Sequence, residues 1–264
     1  MTRILFLGDV FARIGRRLAA NRLPGLVGRE SVDLALANSE NAAGGLGLTL
    51  ESARELFEAG LQGLTGGNHT FRHKEIEPLL DSDARLVRPA NYPAPCPGRG
   101  WTILETPGGV KVGLGNLMGR VYLSSALECP FRTADRLLAE MKQAGAQITI
   151  IDFHAEATSE KNALAWHLDG RLGALVGTHT HVQTSDARLM PGGLAFITDV
   201  GMTGPRQSVI GMARDEVLWS FFSGRHRVYQ PAKGDPVLEG ALLDFDEQGR
   251  ALSIKALRLE GFSS

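Results

Sequence analysis

The sequence predicts an α/β fold in which two packed, mixed sheets are flanked by helices. Three observations lead there. Short apolar runs rich in β-formers alternate with amphipathic stretches through the first half, the pattern of strand–helix–strand units feeding a mostly parallel core. A Pro- and Gly-punctuated segment then introduces a hairpin, and the last third is more strictly β.

Taken in order, Ile4 to Leu7 forms the first strand, closed by Gly8-Asp9, and residues 14–27 form a helix. The run from Val32 to Asn38 is the second strand. Thr49 is placed as the N-cap of a helix carrying Leu50, Ala53, Leu56 and Phe57 on one face, with Gly60 as its stop. A strand follows at Leu61 to Gly67. Pro89, Pro93, Pro95 and Pro97 break any helical period, and 101–105 and 110–115 flank Thr106-Pro107-Gly108-Gly109 as a hairpin. Thr133 is placed as the cap of a helix holding Leu137, Leu138 and Met141 and ending at Gly145. A strand from Ile148 leads to His154, a helix spans 159–168, and Ala174 to Thr178 is a further buried strand. Beyond it, 194–200, 237–245 and 252–259 read as antiparallel strands, interrupted by a helix at 215–222.

Composition narrows the function. With 264 residues, 43% of them hydrophobic, the chain is long enough for a large core and is not disordered. The 28 basic and 29 acidic residues nearly cancel, so no overall field argues for bulk nucleic-acid or membrane binding. Cys96 and Cys129 are the only cysteines, which is no disulfide framework and fits a reducing cytoplasm. After Met1-Thr2-Arg3 only four apolar residues precede Gly8, too few for a signal peptide, and no run reaches membrane-spanning length. A soluble, cytoplasmic protein is expected.

The chemistry is concentrated where strands end. Five apolar runs close on Asp9, on Glu40-Asn41, on Asn68-His69, on His154, and on His179-Thr180-His181. Ligands in α/β sheets bind outside the carboxyl ends of strands, where neighbouring loops converge, so one shared site is expected. A pair of divalent transition metals needs a bridging carboxylate, neutral imidazole and carbonyl oxygen, and Asp9, Glu40, Asn41, Asn68, His154, His179 and His181 supply all three. A single histidine after a strand is usually structural. Burying this many polar groups together without ions or water would be costly.

In that order, Gly8-Asp9, Asn38-Ser39-Glu40-Asn41, Gly67-Asn68-His69, His154 and Gly177-Thr178-His179-Thr180-His181 resemble the calcineurin-like metallophosphoesterases and, within them, the bacterial YmdB-like phosphodiesterases. The likeness covers nearly the whole chain, including Glu40-Asn41-Ala42-Ala43-Gly44-Gly45, Gly67 to Phe71 and Asp199 to Pro205. Phe11 stands where the wider superfamily has the histidine of Asp-x-His, and Glu40 replaces the usual bridging aspartate. Both departures suit the YmdB-like branch, although Ser39 occupies a position where that branch commonly has glycine.

The resemblance implies a four-layer α-β-β-α sandwich, one metallophosphoesterase domain over residues 1–264, and two divalent ions. One ion would be held by Asp9, Glu40, Asn41 and His181, the second by Glu40, Asn68, His154 and His179, with Glu40 bridging. Iron or manganese is expected, with zinc or magnesium as alternatives. Such ions lie roughly 3.5–4 Å apart and share a hydroxide that attacks phosphorus. His69, beside Asn68, is expected to protonate the leaving alkoxide or to hydrogen-bond the phosphate. The implied substrates are small cyclic nucleotides, 2′,3′-cyclic ribonucleotides such as 2′,3′-cAMP. The alternatives are a phosphomonoesterase of the same fold and a regulatory protein binding a nucleotide or partner. A homo-oligomer is compatible with the sequence.

Other motifs are assigned lesser roles. Gly44-Gly45-Leu46-Gly47 lacks a Walker lysine and is taken as a flexible loop beside the site. Gly201 to Pro205 is a candidate substrate wall. His73 and His167, both placed in helices, and His226 are taken as surface or structural histidines. Nucleophilic Ser or Cys catalysis finds no Gly-x-Ser-x-Gly and no Cys with a nearby His.

Overall fold

The computed structural model describes residues 1–123 and 126–261. In chain order its elements begin with β1 (Thr2–Leu7), β2 (Asp9–Val10), α1 (Ala12–Glu30), β3 (Leu34–Asn38), α2 (Leu50–Glu58) and β4 (Gly63–Thr65). After a 3-10 turn at Lys74–Ile76 come α3 (Glu77–Ser82), β5 (Leu86–Val87), β6 (Trp101–Glu105), β7 (Lys111–Met118) and α4 (Pro130–Gln143). Next are β8 (Ile148–His154), α5 (Thr158–Leu168), β9 (Ala174–Thr178), β10 (Arg188–Leu189), β11 (Ala195–Ile197) and β12 (Met202–Pro205). The last are α6 (Arg214–Ser223), β13 (Pro236–Phe245) and β14 (Ala251–Glu260).

Two sheets form, of strand order β2-β12-β13-β1-β3-β4-β5, with β14 also paired to β13, and β10-β11-β9-β8-β7-β6. Strands β1, β3, β4 and β5 run parallel, as do β7, β8, β9 and β11; antiparallel strands complete each sheet. Side-chain alternation builds the layers. Leu5 and Leu7 of β1 join Leu18, Leu23 and Leu56 of the α1–α2 layer. Ile4 and Phe6 instead enter a middle core shared with Ile148, Ile150, Val176 and Ile197 of the second sheet. On the far face Ile151, Phe153, Leu175 and Phe196 pack against Leu137 and Met141 of α4 and Leu164 and Leu168 of α5. The order is therefore helices, sheet, sheet, helices, as expected. No helix among the described residues is long and apolar enough to cross a membrane.

Several boundaries differ from the sequence reading. Helix α1 runs to Glu30 with Pro24 inside it; Pro24 and Ala20 lie on the solvent face, where the missing helical hydrogen bond strands no buried group. Helix α4 begins at Pro130, not Thr133. Proline at the first helical position loses no amide that the helix would have used. Thr49 does cap α2, accepting from the Ser52 amide at 3.2 Å while its own amide donates to Ser52 Oγ at 2.8 Å. The 194–200 run is not an antiparallel strand pair with its successors: β11 lies parallel beside β9 and antiparallel to β10. Gly201 to Pro205 is wholly buried, pairing with β2 and β13, and so forms no substrate wall. His73 precedes the 3-10 turn rather than lying in a helix, its Nε2 2.9 Å from the Leu46 carbonyl.

Candidate metal centre

Register brings the reactive ends together. Leu7 of β1 pairs with Ala37, Asn38 of β3 with Thr65, and His154 of β8 with Thr178. The carboxyl ends of both sheets thus open on one rim. Asp9 sits on the short β2, whose neighbour Gly8 approaches the Gly201 carbonyl so closely that a β-carbon would lie 2.1 Å from that oxygen.

All eight expected residues meet there. Glu40, only 1% exposed, lies at the centre. Its Oε1 is 3.0 Å from His154 Nε2, 3.2 Å from Asn41 Nδ2 and 3.3 Å from His69 Nδ1, and its Oε2 accepts the His69 amide at 3.0 Å. Glu40, His154 and His179 bring one ligand atom each within 4.8 Å of one another. Asn68 Oδ1 joins them, 3.0 Å from His154 Nε2. On the other side His181 Nε2 stands 3.6 Å from Asp9 Oδ1 and 3.1 Å from Asn41 Nδ2. The Asn41 amide directs its nitrogen at Asp9, Glu40 and His181 and its oxygen at His69, so coordination through Asn41 requires turning the amide over. Phe11 packs its ring edge-on to His181 at 5.7 Å between centroids.

Electrostatics suits cations. Burial opposes ionisation of Glu40, yet facing His154 and His69 hold its carboxyl well below the ordinary range. Asp9, equally buried, is held low by His181 and His154. Burial disfavours charge on His181, but Asp9 overrides it and lifts the imidazole to about 9. Burial and the neighbouring His154 instead push His179 down to about 4. His181 and His154, both raised by the carboxylates they face, thus supply the positive charge that Asp9 and Glu40 demand, a role that a bound divalent ion would take over. The cradle is also shaped: a β-carbon at Gly67 would meet Glu40 Oε2 at 2.2 Å and His154 at 2.5 Å. The donor set of carboxylate, amide and imidazole fits a hard-to-borderline metal.

Supporting residues hold these side chains in place, and sequence reasoning missed most of them. Thr178 Oγ1 lies 2.9 Å from His154 Nδ1 and donates to Asp152 Oδ1 at 2.7 Å. With its hydrogen on Nδ1, His154 is left with Nε2 free for the site. Asp152, which burial raises to about 6, also accepts from Thr65 and from Asn38 Nδ2 at 2.9 Å, tying the two sheets together under the site. His181 Nδ1 lies 2.9 Å from the Ile210 carbonyl, which fixes that ring in the same way.

The loop carrying His179 and His181 is strained, with φ of 100° and 63° at non-glycine residues. Two carboxylates over-determine it through three hydrogen bonds. The His179 amide donates to Asp9 Oδ2 at 3.1 Å, and Asp199 Oδ2 accepts from the Thr180 amide at 3.0 Å and the Thr180 hydroxyl at 2.8 Å. Asp199 is itself paired with fully buried Lys161 at 2.9 Å. A lysine on the Lys161, Leu164, Ala165, Leu168 stripe of α5, and an aspartate inside the apolar run before His154, were the available signals for this support.

His167 pairs with Asp135 at 2.9 Å and exposed His226 packs edge-on against Tyr229, in keeping with surface or structural roles. Gly45 and Gly47 are tightly packed turn residues; a β-carbon would strike Phe11 at 2.7 Å and Arg72 at 2.8 Å respectively. Cys96 and Cys129 are free.

Comparison with known proteins places the chain in a family. Residues 5–257 match the YmdB-like protein family. A Bacillus subtilis (strain 168) protein named 2′,3′-cyclic-nucleotide 2′-phosphodiesterase is 43% identical over 258 residues, 98% of this chain and 95% of that one. A crystal structure of a hypothetical protein from Thermus thermophilus superposes with TM-score 0.92 at 44% identity, covering 98% of this chain and 99% of the other. That of a phosphatase from Mycoplasma pneumoniae gives 0.91 at 34% identity, covering 98% and 93%. The chain belongs to the YmdB-like family.

Proposed function

We propose that this protein is a dimetal phosphodiesterase that opens 2′,3′-cyclic ribonucleotides. The carrying observation is the central Glu40 carboxylate, 3.0 Å from His154 Nε2 on one side and 3.2 Å from the Asn41 amide on the other. Asp9, Glu40, Asn41 and His181 would hold one ion, and Glu40, Asn68, His154 and His179 the other. Two divalent cations bound there, iron or manganese, would promote ionisation of the attacking water and neutralise the phosphoryl oxygens. The name of the B. subtilis relative supports the substrate class.

The chain's own residues do the rest. His69, with a side chain 30% exposed at the mouth of the site, faces an incoming phosphodiester. Hydroxide, its proton already released to solvent, adds to phosphorus as the P–O2′ bond breaks, and His69 gives a proton, later regained from solvent, to the departing ribose oxygen, leaving a 3′-phosphate. Asn38, Thr178, Asp152, Lys161 and Asp199 keep the ligands in place.

The test is turnover of 2′,3′-cAMP, bis-p-nitrophenyl phosphate and p-nitrophenyl phosphate with Mn²⁺, by the native protein and His69→Ala. The cyclic diester should be the best substrate. His69→Ala should slow it by about 10²–10⁴-fold, and the aryl diester far less, because nitrophenolate leaves without a proton. Hydrolysis of the monoester alone would make the protein a phosphomonoesterase. Loss of bound metal in His69→Ala would move His69 into the coordination set.

A further inference from the structure

A second cavity lies beside the metal centre. Its volume is about 790 Å³, within the range of small-molecule sites. Its wall includes Ala12 and Gly44. Ala12 donates its amide to the Asn41 carbonyl at 2.9 Å, and Gly44 follows Asn41 by three residues, so the cavity shares backbone with the loops that carry Asp9 and Asn41.

The cavity is cationic although the whole chain has a net charge of -1. Arg13, Arg16, Arg17 and Lys233 line it. Arg16 is engaged with Glu55 at 2.6 Å. Arg13, Arg17 and Lys233 are exposed, and none has an ion-pair or hydrogen-bond partner among the described residues. Through its first eighteen residues α1 carries five arginines and no acidic residue. Cations early in a helix oppose its dipole and cost rather than add helix stability. Beneath them Ile14, Leu18, Pro231 and Ala232 supply an apolar floor. Free cations above an apolar floor fit an anion that also carries a flat ring.

We propose that this cavity binds the nucleotide preceding the cyclic phosphate, so that the preferred substrate is an oligoribonucleotide ending in a 2′,3′-cyclic phosphate. This rests on the phosphodiesterase reading above. A cyclic mononucleotide has one phosphate, which the metal centre takes. A longer chain brings a second phosphate on its 5′ side, and Arg13, Arg17 and Lys233 are the unneutralised cations available to meet it, while its base covers the apolar floor.

The experiment compares kcat/KM for 2′,3′-cAMP with that for a hexaribonucleotide ending in a cyclic phosphate, using the Mn²⁺-loaded native protein and the triple variant Arg13→Ala, Arg17→Ala, Lys233→Ala. In parallel, Kd of a fluorescent hexaribonucleotide ending in 3′-phosphate is measured against salt. The native protein should favour the hexamer at least tenfold, and that ratio should fall at least tenfold in the triple variant. Losing the contact to that one phosphate should also lower the log Kd versus log salt slope by about 0.7, the single-strand value per neutralised phosphate. An absent native preference, or a ratio and slope unchanged in the variant, overturns the proposal. If the native protein hydrolyses neither substrate, the phosphodiesterase reading fails and Kd alone decides. Hexamer binding lost in the variant then upholds the cavity site; equal binding by both proteins overturns it.

Discussion

Replacing Lys161 with methionine isolates the support of the histidine loop. Lys161 and Asp199 are both 0% exposed and 2.9 Å apart. Methionine keeps the length and apolar stem of lysine but removes the charge. Asp199 would retain the Thr180 amide and hydroxyl and the Gly201 amide, with no countercharge in a buried setting. Breaking one partner of such a pair costs about 3–5 kcal/mol. At about 2.1 cal/mol/K per residue, 264 residues have an unfolding entropy near 0.55 kcal/mol/K, so Tm should fall by about 5–9 °C. Differential scanning calorimetry in chelator reads this without metal. Adding Asp199→Asn removes the stranded charge and should restore at least half of the loss. Because Thr180 lies between His179 and His181, manganese affinity should also drop in the single variant. A Tm change below about 2 °C, or a double variant less stable than the single, would refute the argument.

Further outcomes test other parts of the site and fold. Glu40→Gln should reduce bound manganese from about two ions per chain to fewer than one by elemental analysis, since a neutral amide bridges two cations poorly; retention of both ions would remove Glu40 from the bridge. Gly67→Ala should weaken manganese binding at least tenfold by calorimetric titration, because its β-carbon would displace Glu40 and His154; affinity within twofold of native contradicts the tight cradle. Asp244 is held below the usual carboxylate range chiefly by its hydrogen bond from Arg3, at 2.7 Å. Its ionised form therefore stabilises the fold above the unfolded value near 3.9, and that contribution is lost as pH falls through the lower folded value. Asp244→Asn should accordingly lower Tm by about 2–4 °C at pH 7, for about 1–2 kcal/mol, with the gap closing from pH 5 towards pH 3; a gap that is constant with pH would show that the pair is not the source.

Much of the site was legible because its residues interrupt strong local patterns. Asp9, Glu40, Asn41, Asn68, His69, His154, His179 and His181 each follow a run that could only be a buried strand, and parallel strands present their carboxyl ends to one side. The layered fold was legible for the same reason: alternating strands and amphipathic helices leave few ways to bury every apolar face. Helix limits were less so. Pro24 is tolerated because its face meets water, and Pro130 serves as a helix start, both matters of orientation rather than of residue type.

What the sequence by itself determined was the chemistry available and the loops that carry it, since residue identity and hydrophobic period are local properties. Only the tertiary structure decided that Lys161 pairs with Asp199, that Asp152 holds Thr178 under His154, that Gly201 to Pro205 is buried strand rather than wall, and that Arg13, Arg17 and Lys233 line one cavity. Each depends on side chains far apart in the chain meeting across sheets and helices, and the same residue is solvated surface or buried support according to what the fold packs against it.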